Sequence, residues 1–125
     1  MTTAARKIIS DGMASLGLEY DFGTYAGTQY PYFVGEYQET EGLTEDGLQE
    51  SVFMLNGFHR GEWIDLETAK EAIENYFDKV SGLTMIADGG NGVCISYANA
   101  LIVPTGDAEL KRIQINLNIK EWKVN

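Results

Sequence analysis

The segment from Leu110 to Asn125 constrains the fold more than any other part of the chain, because apolar and polar residues alternate along it almost without a break. The apolar positions are Leu110, Ile113, Ile115, Leu117, Ile119 and Trp122. The intervening polar positions are Arg112, Gln114, Asn116, Asn118 and Lys120. A period of two residues is typical of a β-strand with one buried and one solvated face. The sequence therefore predicts a strand over Leu110–Glu121 that needs a second layer to cover its apolar face.

Two amphipathic segments supply candidates for that second layer. Apolar residues at spacings of three and four predict a helix over Thr3–Leu16, which Gly17 is expected to end. A second helical pattern follows Asp65, whose carboxylate is well placed to cap the helix N-terminus. This helix is expected to end at Ser81 and Gly82.

The remaining apolar runs predict two hairpins. The first pairs Tyr32–Gln38 with Leu48–Gly57 across the acidic turn Thr40–Gly47, and residues 18–31 before it are expected to form a loop. The second pairs Leu83–Ala87 with Gly92–Val103 across a glycine-rich turn. The last of these strands is expected to carry Val93, Ile95, Tyr97, Leu101 and Val103 on one face and Cys94, Ala98, Ala100 and Ile102 on the other.

The order of these elements is helix, hairpin, helix and three-stranded meander. A chain of 125 residues is one domain by the usual size range. We therefore predict a single α+β domain over residues 1–125, with two helices packed on a largely antiparallel sheet of about five strands.

Acidic residues dominate the charge of the chain. Nineteen Asp and Glu against nine Lys and Arg give a formal net charge of -10, which argues against a protein that binds nucleic acid as its main task. Six of the acids lie in a segment without Lys or Arg: Glu36, Glu39, Glu41, Glu45, Asp46 and Glu50. This segment is interpreted either as a solvated hairpin tip or as a surface that repels or steers a partner.

Residues that usually carry chemistry are sparse or lack the pattern that chemistry requires. Gly89-Gly90-Asn91-Gly92 lacks the Lys and Ser/Thr of a phosphate-binding loop and precedes strand-like residues, so it is interpreted as a turn. His59 is the only histidine and is expected at a strand end, and Cys94 is the only cysteine and is interpreted as a small apolar residue. We expect no catalytic, metal or cofactor site, and hence no enzyme.

No apolar run is long enough to span a membrane, and no secretion signal is visible at the start of the sequence. A single free cysteine fits the reducing cytoplasm.

Seven aromatic residues lie close together in the sequence: Tyr20, Phe22, Tyr25, Tyr30, Tyr32, Phe33 and Tyr37. Some are expected in the core, but tyrosine is also favoured at protein interfaces.

Four stretches of the chain resemble the tail terminator, or tail-completion, family of small tail proteins of long-tailed phages and prophages. They are Pro31-Tyr-Phe-Val-Gly-Glu-Tyr, Glu45-Asp-Gly-Leu-Gln-Glu-Ser, Asp65-Leu-Glu-Thr-Ala-Lys and Pro104-Thr-Gly-Asp-Ala-Glu-Leu-Lys-Arg-Ile-Gln-Ile-Asn-Leu. The resemblance covers roughly Ile8 to Lys123. It implies a structural protein whose copies form a ring, expected to contain six, that caps the tail tube and joins it to the head connector.

The resemblance implies self-association and contact with tail-tube and head-connector proteins, first in the cytoplasm and then in the virion tail. Tyr25, Tyr30 and Tyr32 are the candidate protomer interface, and the acidic segment is the candidate lumen or partner surface. The alternative is a cytoplasmic module of α+β fold that binds a small ligand or a protein.

Overall fold

Two helices and six strands make up the part of the chain that the computed structural model describes, namely residues 1–41, 47–78, 80–87 and 89–122. In order they are α1 (Thr3–Ser15), β1 (Glu19–Phe22), β2 (Tyr32–Glu41), β3 (Gln49–His59), α2 (Trp63–Tyr76), β4 (Leu83–Ile86), β5 (Gly92–Ile102) and β6 (Lys111–Trp122). The strands form one sheet in the order β1-β2-β3-β6-β5-β4. The α+β class is confirmed, whereas the predicted sheet of about five strands and the predicted element order are wrong, because β1 was missed.

The last strand, β6, lies in the middle of the sheet. It pairs antiparallel with β3 on one side and with β5 on the other. Its alternation is confirmed, since Ile113, Ile115, Leu117 and Ile119 are all buried. A one-residue slip of its register would expose all four side chains, so the pattern fixes the pairing of the whole sheet.

Helix α1 follows the predicted bounds closely. Thr2 caps it, with its hydroxyl accepting a hydrogen bond from the Ala5 N–H at 3.1 Å. Gly17 adopts a φ of 71° just beyond the helix, which is the left-handed conformation that favours glycine. The Thr2 N–H donates to the buried carboxylate of Glu121 on β6, at 3.1 Å. This bond holds the positive end of the helix against the central strand.

Helix α2 differs from its prediction at both ends. It begins at Trp63, and Glu62 at the cap position makes no capping bond, so Asp65 is not the cap. Asp65 lies in the first turn, where its carboxylate instead contacts His59. The helix ends at Tyr76 and not at Ser81–Gly82, because the backbone of the next residue, Phe77, leaves the helical conformation with φ -103° and ψ 65° while its ring lies in the core.

Residues 18–31 are not a loop throughout, because Glu19–Phe22 form β1 parallel to β2. The two predicted hairpins are present, and the strands of the first hairpin, β2 and β3, are longer than predicted. Residues 42–46 of the first turn and residue 88 of the second lie outside the described residues.

The face assignment along β5 is right up to Tyr97 and wrong beyond it. Tyr97 pairs with Leu117, whereas Asn99 pairs with Asn116, so Ala98 is an extra residue in a β-bulge. The bulge reverses the alternation. Ala100 and Ile102 therefore lie on the same face of the sheet as Ile115 and Ile113. Leu101 lies on the opposite face.

Both helices pack on one face of the sheet, here called the helix face, which carries the core residues Phe33, Phe53, Leu55, Ile95, Ile115 and Leu117. A Cβ atom at Gly57 would come within 2.5 Å of the Phe33 ring, so glycine lets that ring lie close to β3. The other face, here called the open face, carries Val34, Glu36, Met54, Asn56, Phe58, Arg112, Gln114 and Asn116.

Replacing Ile115 with Asp is expected to unfold the protein. Ile115 is fully buried on the helix face, and an unpaired carboxylate there lowers the free energy of unfolding by more than about 4 kcal/mol. Thermal unfolding followed by circular dichroism measures the effect. Asn118→Asp, at an exposed position three residues further along β6, is the control and should unfold like the wild type. A folded Ile115→Asp protein would contradict the assigned register.

Candidate functional site

A stack of aromatic rings on the open face is the most organised cluster of side chains outside the core. Tyr32 lies in its middle, with ring centroids 4.2 Å from Tyr25, 5.4 Å from Tyr30 and 5.2 Å from Phe58. Residues before β2 supply Tyr25 and Tyr30, and β3 supplies Phe58. The three predicted interface tyrosines are therefore neighbours. Tyr25 and Tyr30 each contact Tyr32 within the chain, and contact of the three rings with a second protomer stays a prediction.

A polar chain of three side chains lies beside this stack. The Arg112 Nη2 donates to Asn56 Oδ1 at 2.8 Å, and the Asn56 Nδ2 donates to Glu36 Oε1 at 3.3 Å. The Arg112 guanidinium also lies over the Phe58 ring, 5.4 Å from its centroid. Asn56 is only 5% exposed, so its two hydrogen bonds satisfy an amide that has little access to water.

The stack and the polar chain together border a pocket of about 350 Å³, here called the open-face pocket. Gly23, Thr24 and Tyr25 form one wall, and Val34 and Asn56 lie in the pocket lining on the sheet side. Side-chain amides continue the polar surface across the sheet, because Gln114 donates to Asn116 and Asn116 donates to Asn99. Such a surface offers ring edges, amides and one guanidinium to a ligand, which is the make-up of a binding pocket.

Sequence reasoning missed the polar chain. Glu36, Asn56 and Arg112 come from three different strands, and only the pairing of those strands brings the side chains together. The only available signal was a polar residue at an outward position of each predicted strand.

His59 and Asp65 form a second polar pair, located at the end of β3 on the helix face. His59 Nε2 lies 2.8 Å from Asp65 Oδ2, and the His59 residue is 8% exposed. The His59 Nδ1 is buried and has no hydrogen-bond partner within the described chain. The prediction that His59 ends a strand is confirmed. Within the described ranges, no cluster of three or more His, Cys, Asp or Glu side chains is arranged to hold a metal ion.

The acidic segment does not form one surface in the part that the structure describes. Glu36 lies on the open face beside Asn56, and Glu50 lies 4.0 Å from Lys120. Glu39 binds the amino group of Met1, and that hydrogen bond lowers the pKa of the Glu39 carboxyl. Glu45 and Asp46 lie outside the described residues, as does the side chain of Glu41.

The Tyr20 hydroxyl is a buried polar group without a partner in the described chain. It lies beneath β2, where a Cβ atom at Gly35 would come within 2.6 Å of it. Burial raises the pKa of Tyr20 to about 12, partly opposed by the nearby Arg6 guanidinium. This residue links β1 to the core and has no visible chemical task.

An apolar groove runs between α2 and the end of β5. Its lining comprises Trp63, Glu67, Lys70, Ala100, Leu101, Ile102 and Ile113, and its volume is about 560 Å³. Ile102 in this lining is 64% exposed, and Ile64, which follows Trp63 on α2, is 65% exposed. Exposed apolar side chains that cluster in this way mark contact surfaces more often than isolated ones do. We call this groove the Trp63 groove.

Replacing Tyr20 with Phe is expected to change the response of the protein to alkaline pH. Because burial raises the pKa of Tyr20 from 10.0 to about 12 on folding, the contribution of this residue to stability falls as the pH rises between these values. Tyr20→Phe removes that fall and, by deleting an unpaired hydroxyl, raises stability at pH 7 by about 1 kcal/mol. Urea unfolding at several pH values measures both effects. Tyr37→Phe, at an exposed ring, is the control. Identical pH profiles for Tyr20→Phe and the wild type would contradict the assignment.

Among the described residues, no helix combines the length and the apolar character needed to cross a membrane. No protein-family model matches the chain, and no curated protein matches it.

Proposed function

We propose that the chain is a structural protein of a phage or prophage tail, of the tail terminator kind. Its copies join into a ring that caps the tail tube and joins it to the head connector. The observation that carries this proposal is that two different strand edges toward opposite ends of one sheet, the outer side of β1 and the distal half of β5, are unpaired within the described chain. The resemblance of the sequence to the tail terminator family supports the same function and suggests six copies in the ring.

The first unpaired edge is the outer side of β1. The Gly23 N–H donates to the Gly35 carbonyl of β2, and alternate residues of a strand point their backbone groups to opposite sides. The backbone N–H groups of Tyr20 and Phe22 therefore point away from β2. Within the described chain no backbone group pairs with them.

The second unpaired edge is the distal half of β5. Strand β4 pairs only with residues Gly92–Ile95, so no described strand lies beside residues 99–102. The Val103 N–H donates to the Arg112 carbonyl of β6, which by the same alternation turns the backbone groups of Ala100 and Ile102 outward. A strand edge of this kind readily pairs with another chain.

Two unlike edges favour a ring over a simple dimer. When one surface of a protomer binds a different surface of the next, the contact repeats head to tail and closes if the rotation between copies allows it. A sheet edge at each end of the domain meets this requirement. The tail tube and the head connector would then contact the two rims of the ring.

The charge of the chain suits a ring through which DNA passes. A net charge of -10 disfavours adhesion of a polyanion, and Glu36 and Glu50 place acidic groups on the open face. We therefore propose that Glu36 and Glu50, the described acids of this segment on the open face, face the lumen or a neighbouring tail protein. The proposal involves no catalysis, no cofactor, no specific nucleic acid binding and no membrane. It places assembly in the cytoplasm and the mature protein in the virion tail.

The second candidate function is a small-ligand or protein-binding module, and the open-face pocket favours it. The pocket combines stacked aromatic rings with an amide network and Arg112. This function requires no self-association, so the state of assembly separates the two candidates.

Electron microscopy of the full chain mixed with purified tail tubes tests the proposed function. We expect a ring of protein at one end of each tube, absent from tubes alone. Native mass spectrometry of the same protein should give one closed oligomer at high concentration. A chain that stays monomeric and leaves the tube ends bare would overturn the proposal and favour the binding module.

Replacing both Tyr25 and Tyr30 with Ser is expected to block ring formation and the joining of tails to heads while leaving the fold intact. Tyr30 is 44% exposed, and loss of the Tyr25 stack costs about 1 kcal/mol. Thermal unfolding checks the fold, and electron microscopy counts capped tubes. Thr28→Ala with Gln29→Ala, at exposed positions in the same segment, is the control. Normal capping by the tyrosine variant would remove these rings from the interface.

A further inference from the structure

We propose that β1 of one copy pairs antiparallel with residues Asn99–Ile102 of the next copy, so that the sheet continues from protomer to protomer. This inference rests on the proposed ring and names the contact that builds it. The two edges match in length, because β1 has 4 residues and the part of β5 beyond the bulge that lacks an outer partner has the same number.

The direction of the pairing follows from the topology and from rotational symmetry. Within one protomer β1 runs parallel to β2, and the antiparallel steps across β3 and β6 leave β5 running opposite to β1. Rotation about a ring axis preserves the direction of each strand relative to that axis. The β1 strand of the next copy therefore meets β5 antiparallel, which is the slightly more stable mode of pairing.

The outward backbone groups set the register. Tyr20 and Phe22 point their backbone groups outward on β1, and Ala100 and Ile102 do so on β5. In an antiparallel ladder such residues form the hydrogen-bonded pairs. Pairing Phe22 with Ala100 places Tyr20 opposite Ile102 and uses all of these donors and acceptors.

The side chains fit this register on the helix face. Phe22 is 38% exposed, and its partner in the register, Ala100, is small and lines the Trp63 groove. Within its own copy the Phe22 ring packs against Tyr37 and Phe53, with ring centroids 6.0 and 6.2 Å apart, and the exposed part of this ring would cover Ala100 at the edge of the groove. A buried aromatic anchor in an apolar groove is the usual centre of a protein interface.

The helices that flank the two edges carry complementary charge. On the β1 side, the Arg6 guanidinium of α1 lies over the Phe22 ring, 4.0 Å from its centroid. On the β5 side, Glu67 of α2 lines the groove. Helix α2 holds four carboxylates, Asp65, Glu67, Glu71 and Glu74, against the single base Lys70. Pairing Phe22 with Ala100 brings Arg6 of one copy toward Glu67 of the next, where the opposite charges attract.

The outer edge of β4 is the competing partner for β1. Met85 and Ile86 on β4 are exposed, and that edge is unpaired within the described chain. A neighbouring β1 would meet β4 in the parallel direction, and the Trp63 groove would stay empty. Both points favour β5 over β4.

Cysteine cross-linking tests the register directly. Asp21 and Leu101 face each other on the open face in the proposed register, as a pair without backbone hydrogen bonds whose Cα atoms lie about 4.5 Å apart. That distance falls within the range of disulfides. The chain carrying Asp21→Cys and Leu101→Cys, with the native thiol removed by Cys94→Ser, is assembled on tail tubes and mildly oxidised. We expect a ladder of covalent oligomers on a non-reducing gel.

The matched control carries Asp21→Cys and Thr84→Cys in the same Cys94→Ser background. Thr84 pairs with Cys94 and lies on the open face of β4, so this variant reports pairing with the competing edge. We expect no ladder. A ladder from this pair and none from the first would overturn the inference in favour of β4.

Exchange of charge provides a second measurement that does not depend on a disulfide. Arg6→Glu places two acids face to face in the proposed contact and should weaken assembly about tenfold. Adding Glu67→Arg should restore it. Assembly that is unaffected by Arg6→Glu, or a loss that Glu67→Arg does not repair, would overturn the inference.

Failure of this inference is distinguishable from failure of the proposed function. If rings form at the tube ends, but the Asp21→Cys and Leu101→Cys variant gives no covalent oligomers and Glu67→Arg does not restore assembly, only the proposed register is overturned. The proposed function then stays in place. Wild-type protein that forms no ring at all would overturn both.

Discussion

The one-sided burial of β6 is the constraint on which the rest of the structure depends. Its helix face is apolar from Ile113 to Ile119, and both of its edges are paired. The β2–β3 hairpin joins one edge and the β4–β5 hairpin joins the other, so two local units become one sheet only through β6. Because a shift by one residue would turn four buried side chains to water, a single register satisfies both hairpins.

The same strand also positions the helix layer and the open face. Glu121 on its helix face accepts the Thr2 N–H and so anchors the start of α1. Arg112 on its open face donates to Asn56, which in turn donates to Glu36. The alternation along this one strand therefore separates the sheet into an apolar face covered by two helices and a polar face that carries the open-face pocket. The polar face is the one that stays accessible to a ligand.

Long periodic segments were predictable from sequence, and short or context-dependent features were not. Helix α1 and strand β6 repeat their pattern over three or more turns or alternations, so tertiary contacts reinforce the local preference. Strand β1 has only 4 residues, and pairing with β2 supplies the stability that its own sequence lacks. Helix α2 starts early enough to place Asp65 in its first turn, 2.8 Å from His59, and this contact between residues six positions apart follows from no local pattern.

The tyrosines illustrate the same limit for the site. Composition identified Tyr25, Tyr30 and Tyr32 as unusual, yet their ring contacts depend on the packing of residues 23–31 against the sheet, which composition does not encode.

The bulge at Ala98 has a larger consequence. Without the extra residue, Ala100 and Ile102 would face the polar side, and the Trp63 groove would lose two of its apolar walls. Together the bulge and the early end of β4 give the domain an edge whose backbone is unpaired and whose flank is apolar, which is the combination that strand addition requires.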